Sequence, residues 1–347
     1  MTRGRAAVLA ALVLSTAASA RAQETWHATE IARIDGLVDI AAADTEAGRA
    51  GRAILARTAA GTFEIALRGG EIAKRGPIAT PPPPAGMIPH ARIGRGRASI
   101  GAAFLAEPTR RYRHGVLGDD IEAGAVAAYP LGAVPRGDLR AAPLRLALPA
   151  DSVFEDLVPR VADLDGDGRD EIVLIRSYLA RGAALAVLGV RGGKLAILAE
   201  SPAFGRPNRW LDVAGIGDYL GAGRGRRQIA VVETPHIGGV LVLYEYAGGR
   251  LTERLRRPGY ATHTIGAPVI GMAATLAGDG ADELVLPAQD RRALVALSLK
   301  DGAPRERARA ALPAPVATAI LAIAPEAGRR ADLLLGTADG RLVRVRR

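Results

Sequence analysis

The chain reads as an all-β protein, on three observations. Apolar runs are short, four to eight residues, and many of them alternate with polar positions. They are separated by turn residues, with 42 glycines and 22 prolines in 347 residues. Beyond the first twenty-odd residues, no stretch has the 3.6-residue apolar periodicity of a long amphipathic helix.

The third observation is a repeat. Glu171-Ile172-Val173-Leu174 follows an acidic, glycine-rich loop. Comparable runs begin at Gln228, Glu283 and Asp332, so the spacings are 57, 55 and 49 residues. Each anchor leads to a β-rich run, a tight turn and another β-rich run. Gly192-Gly193, Gly248-Gly249 and Thr337-Ala338-Asp339-Gly340 supply three of those turns. Residues 52–72 have the same layout as the hairpin at 332–345. A period near 50 residues with several strands per unit predicts a β-propeller, because one such sheet cannot bury both faces alone and a ring of them can. The expectation is seven blades, with six also fitting the length. A pair of β-sandwiches or a β-helix is the structural alternative. Residues 23–110 keep the pattern least, and Pro81–Pro84 reads as an extended connection.

The elements before the repeats concern export. Arg3 and Arg5 precede an apolar run from Ala6 to Leu14, and Ala20-Arg21-Ala22 fits a small-x-small cleavage site. Residues 1–22 are therefore expected to be a signal peptide, leaving 23–347 as the mature domain in the periplasm or outside the cell. An uncleaved N-terminal anchor is the alternative. No later run is long enough to span a membrane. Cleavage would lower the formal charge from +10 to +7. The arginines behind that charge are dispersed along the chain, and lysine occurs only at 74, 194 and 300. A surface attractive to anionic polymers is one reading. Without a dense basic block or an aromatic array, nucleic acid is not an expected partner. The absence of cysteine excludes disulfides, thiolate metal ligands and thiol catalysis.

The acidic loop "DLDGDGRDE" carries the clearest chemistry. Asp163, Asp165 and Asp167 stand at positions one, three and five, and Gly168 allows a sharp turn at six. Arg169 can offer its carbonyl at seven, and Glu171 a further carboxylate at nine. Hard oxygen donors at alternating positions suit Ca²⁺, as in the first part of an EF-hand loop. Leu174 occupies position twelve, where an EF-hand places its bidentate glutamate, so the expectation is a calcium loop leading into a strand. Without an ion these charges would have to face water. Asp170 interrupts the alternation and is expected to point outward.

The D-x-D-x-D-G-x-x-[DE] loop running into an apolar strand, recurring about every 50 residues, resembles the FG-GAP/VCBS repeat. That repeat builds seven-bladed propellers in integrin α-subunit heads and in bacterial envelope proteins. The stretches at 153–173, 205–210 and 232–239 are similar to secreted proteobacterial members. The resemblance covers about residues 110–345, and it implies one structural Ca²⁺ held by Asp163, Asp165, Asp167, the Arg169 carbonyl and Glu171. In the second repeat the aligned carboxylates are lost. In the third Asp279 and Glu283 remain, enough for a weak site. In the fourth only Asp332 remains.

No motif for nucleophilic, metallo-hydrolytic or nucleotide chemistry occurs, and the histidines at 27, 90, 114, 236 and 263 make no metal-ligand spacing. The leading expectation is a non-catalytic, monomeric binding or scaffold propeller with a protein or glycan partner in the cell envelope. The second is a periplasmic propeller enzyme acting on glycans as a lyase or hydrolase. That reading gains if His236, Arg209 and an acid converge in one concave pocket, which Asn208, Trp210 and the polar segment 112–124 could help to line. The blander alternative has Trp210 packing between blades and His236 capping a turn.

Overall fold

A computed structural model describes residues 24–42, 53–68, 71–79, 82–133, 142–223, 225–323 and 331–346. The proposed signal peptide lies outside the described residues. The described residues are all-β, with one short 3-10 turn at Lys300–Gly302 and no α-helix. None of their helices is long and apolar enough to cross a membrane.

The strands form successive units in a propeller-type array, antiparallel except where Glu24–Thr25 adds parallel to Arg305–Ala311. The first unit contains Leu37–Ala42, Ala53–Thr58, Gly61–Arg68 and Glu71–Arg75. The second contains Ile100–Thr109, Glu122–Pro130 and Leu144–Ala147, and its inner side is extended by a bridge between Gly94 and Ala103. The third contains Arg160–Ala162, Glu171–Tyr178, Gly182–Arg191 and Lys194–Glu200. The short strand Ser152–Phe154 pairs with both the second and third units and fuses them into one eight-stranded sheet. The fourth contains Leu211–Gly217, Gln228–Glu233, Val240–Ala247 and Arg250–Pro258. The fifth contains Ala274–Leu276, Glu283–Pro287, Ala293–Ser298 and Arg305–Ala311.

The remaining unit joins both ends of the described chain. Leu321–Ile323, Asp332–Gly336 and Arg341–Arg346 are completed by His27–Arg33, which pairs antiparallel with the last of them, Ala28 opposite Val345. All four sequence anchors, Glu171, Gln228, Glu283 and Asp332, are the first residues of their strands. The N-terminal part, weakest in pattern, nonetheless forms a complete four-stranded sheet.

The packing explains why each anchor strand carries a continuous apolar run after its first residue. Ile172, Val173, Leu174 and Ile175 are all fully buried. Ile172 and Leu174 pack with Ile100 and Leu105 of the second unit. Val173 and Ile175 face the other way, against Val213, Ile229 and Val231 of the fourth. A strand with period-two side chains and both faces covered reads as a continuous apolar run. The same division recurs around the array. Ala230 and Val232 share a core with Leu284 and Leu286. Val285 shares one with Leu333 and Leu335. Leu334 and Leu342 close on Ile40, Ile54 and Ile65 of the first unit. Burial of these faces supplies the bulk of the stabilisation.

Close approach of units fixes two glycines. A methyl group on Gly94 would lie 1.9 Å from the Pro159 carbonyl oxygen, and one on Gly239 would lie 1.8 Å from that of Tyr260. Only a residue without Cβ fits either place.

Candidate functional site

The acidic loop connects Arg160–Ala162 to Glu171–Tyr178, and two glycines bend it. Gly166 and Gly168 have φ of 78° and 82°, a conformation that L side chains adopt only with strain. The Asp163 carboxylate accepts from Gly166 N at 2.7 Å and from Gly168 N at 2.9 Å, which curls the loop around it. Glu171 is buried and accepts from Leu164 N at 3.0 Å. The outcome is convergence: ligand atoms of Asp163, Asp165 and Glu171 lie within 4.8 Å of one another, the only such set of three among the described residues. Asp167 is not in that set. Its Oδ1 accepts from Arg169 N at 2.8 Å. Burial pushes the Glu171 carboxyl up to about 7, and the charges of Asp165, Asp167 and Asp163 add to that. A divalent cation would relieve both causes, so the donor set fits Ca²⁺ chemically. Beside the loop, a cavity of about 200 Å³ is lined by residues that include Tyr129, Arg169, Asp170, Glu171 and Arg191.

Asp170 does not point outward. It is 4% exposed, and its Oδ2 accepts from the backbone N–H groups of Ala98, Ser99 and Ile100 at 2.8, 2.7 and 3.0 Å. Its carboxylate is not among the converging ligand atoms. Nothing in the local pattern signals that the neighbouring unit presents three donors there.

The second repeat keeps the bracket with a single carboxylate, Asp218. Its loop is two residues longer, so counting back from Gln228 misses Asp218, the residue that follows the inner strand as Asp163 does. Asp218 accepts from Ala222 N and Gly223 N, each at 2.8 Å. Gln228 replaces Glu171 and accepts from Leu220 N at 2.9 Å. A neutral amide thus holds the same turn closed. In the third loop no third ligating side chain joins Asp279 and Glu283 to make a comparable set among the described residues.

A second cluster gathers where the connections of several units meet. Gly266 N bonds to Val116 O at 2.9 Å, joining the loop after Arg250–Pro258 to the segment before Glu122–Pro130. Trp210 is buried and donates its indole N–H to Glu155 O at 2.9 Å. Its ring meets the edge of His263 at 4.8 Å between centroids, and His263 meets His236 at 5.9 Å. His114 Nδ1 lies 2.6 Å from Glu155 Oε1, and Ser177 donates to the other oxygen of that wholly buried carboxylate. Tyr112 accepts from Asn208 N at 2.9 Å and lies edge-on to His114. Glu122 stands beside Glu155 across the sheet, fully buried, with both oxygens lacking a hydrogen-bond partner. Burial and the neighbouring Glu155 raise its carboxyl well above the usual range.

His236 and Trp210 therefore meet near segment 112–124, and Asn208 touches it through Tyr112. The expected packing role of Trp210 holds as well. Arg209 lies near enough to depress His236, although its guanidinium turns to Asn208 O at 2.9 Å on the exposed side. Sequence reasoning gave no role to His263 or Glu155 and reached Glu122 only as part of the polar segment 112–124. Each looks like an ordinary residue of a loop end or strand end, and only the fold assembles them.

No protein-family model matches this chain, and no curated protein does. Among solved structures, one similar chain comes from the crystal structure of BBS1N in complex with ARL6DN, soaked with lead. It is 12% identical, with a TM-score of 0.43, and the match covers 90% of this chain and 79% of that one.

Proposed function

We propose that this protein is an exported, non-catalytic β-propeller of the FG-GAP/VCBS kind that binds or scaffolds a protein or glycan of the cell envelope. In this reading one structural calcium ion is held by Asp163, Asp165, Asp167, Glu171 and the Arg169 carbonyl. The observation that carries it is the convergence of Asp163, Asp165 and Glu171 within 4.8 Å around a glycine-bent turn. The ion offsets repulsion among carboxylates and fastens a loop lying between the inner strand and the anchor strand. The test is calorimetry of EDTA-treated protein with Ca²⁺, comparing wild type with Asp165→Ala. One equivalent bound by wild type and none by the variant supports the site. Equal heats for both remove it.

One observation favours a second reading, an enzyme. A buried carboxylate, Glu155, holds His114 by one ring nitrogen, the arrangement that orients a general base. Turnover of an envelope glycan, abolished by His114→Gln with calcium binding intact, would establish that reading over the first.

A further inference from the structure

We propose that the cavity beside the acidic loop captures the C-terminal residue of a partner polypeptide, with its apolar side chain in the cavity and its carboxylate against Arg169 and Arg191. This inference rests on the reading of the molecule as a binding protein and names the chemistry of one partner.

The cavity lies between the second and third units, and small residues leave it open. Ala128 of Glu122–Pro130 and Gly189 of Gly182–Arg191 both line it. Ile100, Pro130, Leu144, Val190 and Leu198 give it a largely apolar wall. Its volume is about 200 Å³. An apolar void of roughly 150 Å³ already accepts benzene. One aromatic ring or branched aliphatic group therefore fits, and a long acyl chain does not. A sugar would set its hydroxyls against carbon, with few partners for them.

The mouth adds charge. Arg169 and Arg191 line the cavity and are exposed, and neither makes an ion pair among the described residues. The two acids on the lining are already engaged. Asp170 holds three backbone N–H groups of the second unit. Glu171 accepts from Leu164 N and converges with Asp163 and Asp165 inside the acidic loop. Two free guanidiniums over an apolar cavity match a carboxylate attached directly to an apolar group.

The flanking strands point to a polypeptide as the carrier of that group. Leu144–Ala147 pairs only with Glu122–Pro130, and Lys194–Glu200 only with Gly182–Arg191. Each leaves its other edge without a partner strand among the described residues, and Leu144 and Leu198 of these two strands line the cavity. An extended chain end can hydrogen-bond to such an edge while its last residue is captured.

The test measures fluorescence anisotropy of dye-labelled peptides against the full chain in CaCl₂. The peptides are Gly-Ser-Gly-Ser-Gly-Phe and the same sequence ending in Leu, each labelled at the N-terminus. The expected result is saturable binding of at least one of them. Amidation of its C-terminus, or Gly as its last residue, should weaken binding at least about tenfold. Arg191→Glu should weaken it by at least about tenfold, and Leu144→Trp, which fills the cavity, should abolish it. Absence of binding by both peptides overturns the proposal. So does an amide bound as tightly as the acid, or binding unaltered in Arg191→Glu. Denaturation midpoints check the folding of each variant. If Leu144→Trp fails to fold, Arg191→Glu, at the exposed end of its strand, decides alone. Calcium calorimetry on Arg191→Glu should still give one equivalent, so failure of the peptide site and failure of the calcium-bound propeller reading are told apart.

Discussion

Asp170 and Ser99 bind each other twice: the Ser99 N–H donates to Asp170 Oδ2 at 2.7 Å, and the Asp170 N–H donates to Ser99 Oγ at 2.8 Å. They stand 71 residues apart, on the third unit and at the entry to the second. Asp282 repeats the device further round, accepting from Asp218 N at 2.8 Å while its own N–H donates to Asp218 O. The residue immediately before an anchor strand thus latches its unit to the preceding one.

Asp170→Ala should therefore cost about 2 kcal/mol or more, because three backbone N–H donors, that of Ile100 buried, lose one shared acceptor. Asp170→Asn should cost less, since an amide oxygen still accepts. Urea denaturation of both variants measures the difference. Equal midpoints for Asp170→Ala and wild type would remove the latch.

Glu171 gives a pH dependence. Its folded carboxyl titrates near 7 against 4.5 in the unfolded chain, so the folded state holds the extra proton between those values. In metal-free protein this contribution is fully present below pH 4.5 and is lost as pH rises through 7. Calcium must displace the same proton, so affinity should rise from about pH 5 to about 7 and then level off. Calorimetry in buffers of different ionisation heat would detect the released proton. A flat affinity across that range would contradict the assignment.

Gly94→Ala should destabilise the fold by about 2 kcal/mol or more, since the new methyl group meets backbone at 1.9 Å and backbone cannot yield cheaply. Gly132→Ala is the control. Gly132 has φ of 84° but nothing within 4 Å, so its cost should be confined to about 1 kcal/mol of backbone strain. Thermal unfolding of the two variants should separate collision from conformation.

Removal of residues 24–33 from the mature chain should strip the outer strand from Arg341–Arg346 and take away Trp26, which is packed with Val269 and Val345. The expected loss is at least about 3 kcal/mol, comparable with truncating one buried tryptophan. Calorimetric unfolding of this truncated form should show a lowered and broadened transition. An unchanged melting curve would mean that the N-terminal strand does not tie the ends together.

Features encoded over short distances were legible in the chain alone. Turn chemistry at Gly192-Gly193 and Gly248-Gly249, period-two apolar runs and the recurrence of anchors at 171, 228, 283 and 332 locate strands, because backbone preference and pleat act within a few residues. The spacing of Asp163, Asp165 and Glu171 likewise announces a carboxylate cage, since one loop carries all of it. Juxtaposition was settled only in three dimensions. His27 opposite Arg346, Asp170 beside Ser99, and His263 between Trp210 and His236 join segments dozens to hundreds of residues apart. No local pattern records such pairs, because their positions follow from how sheets stack on their buried faces.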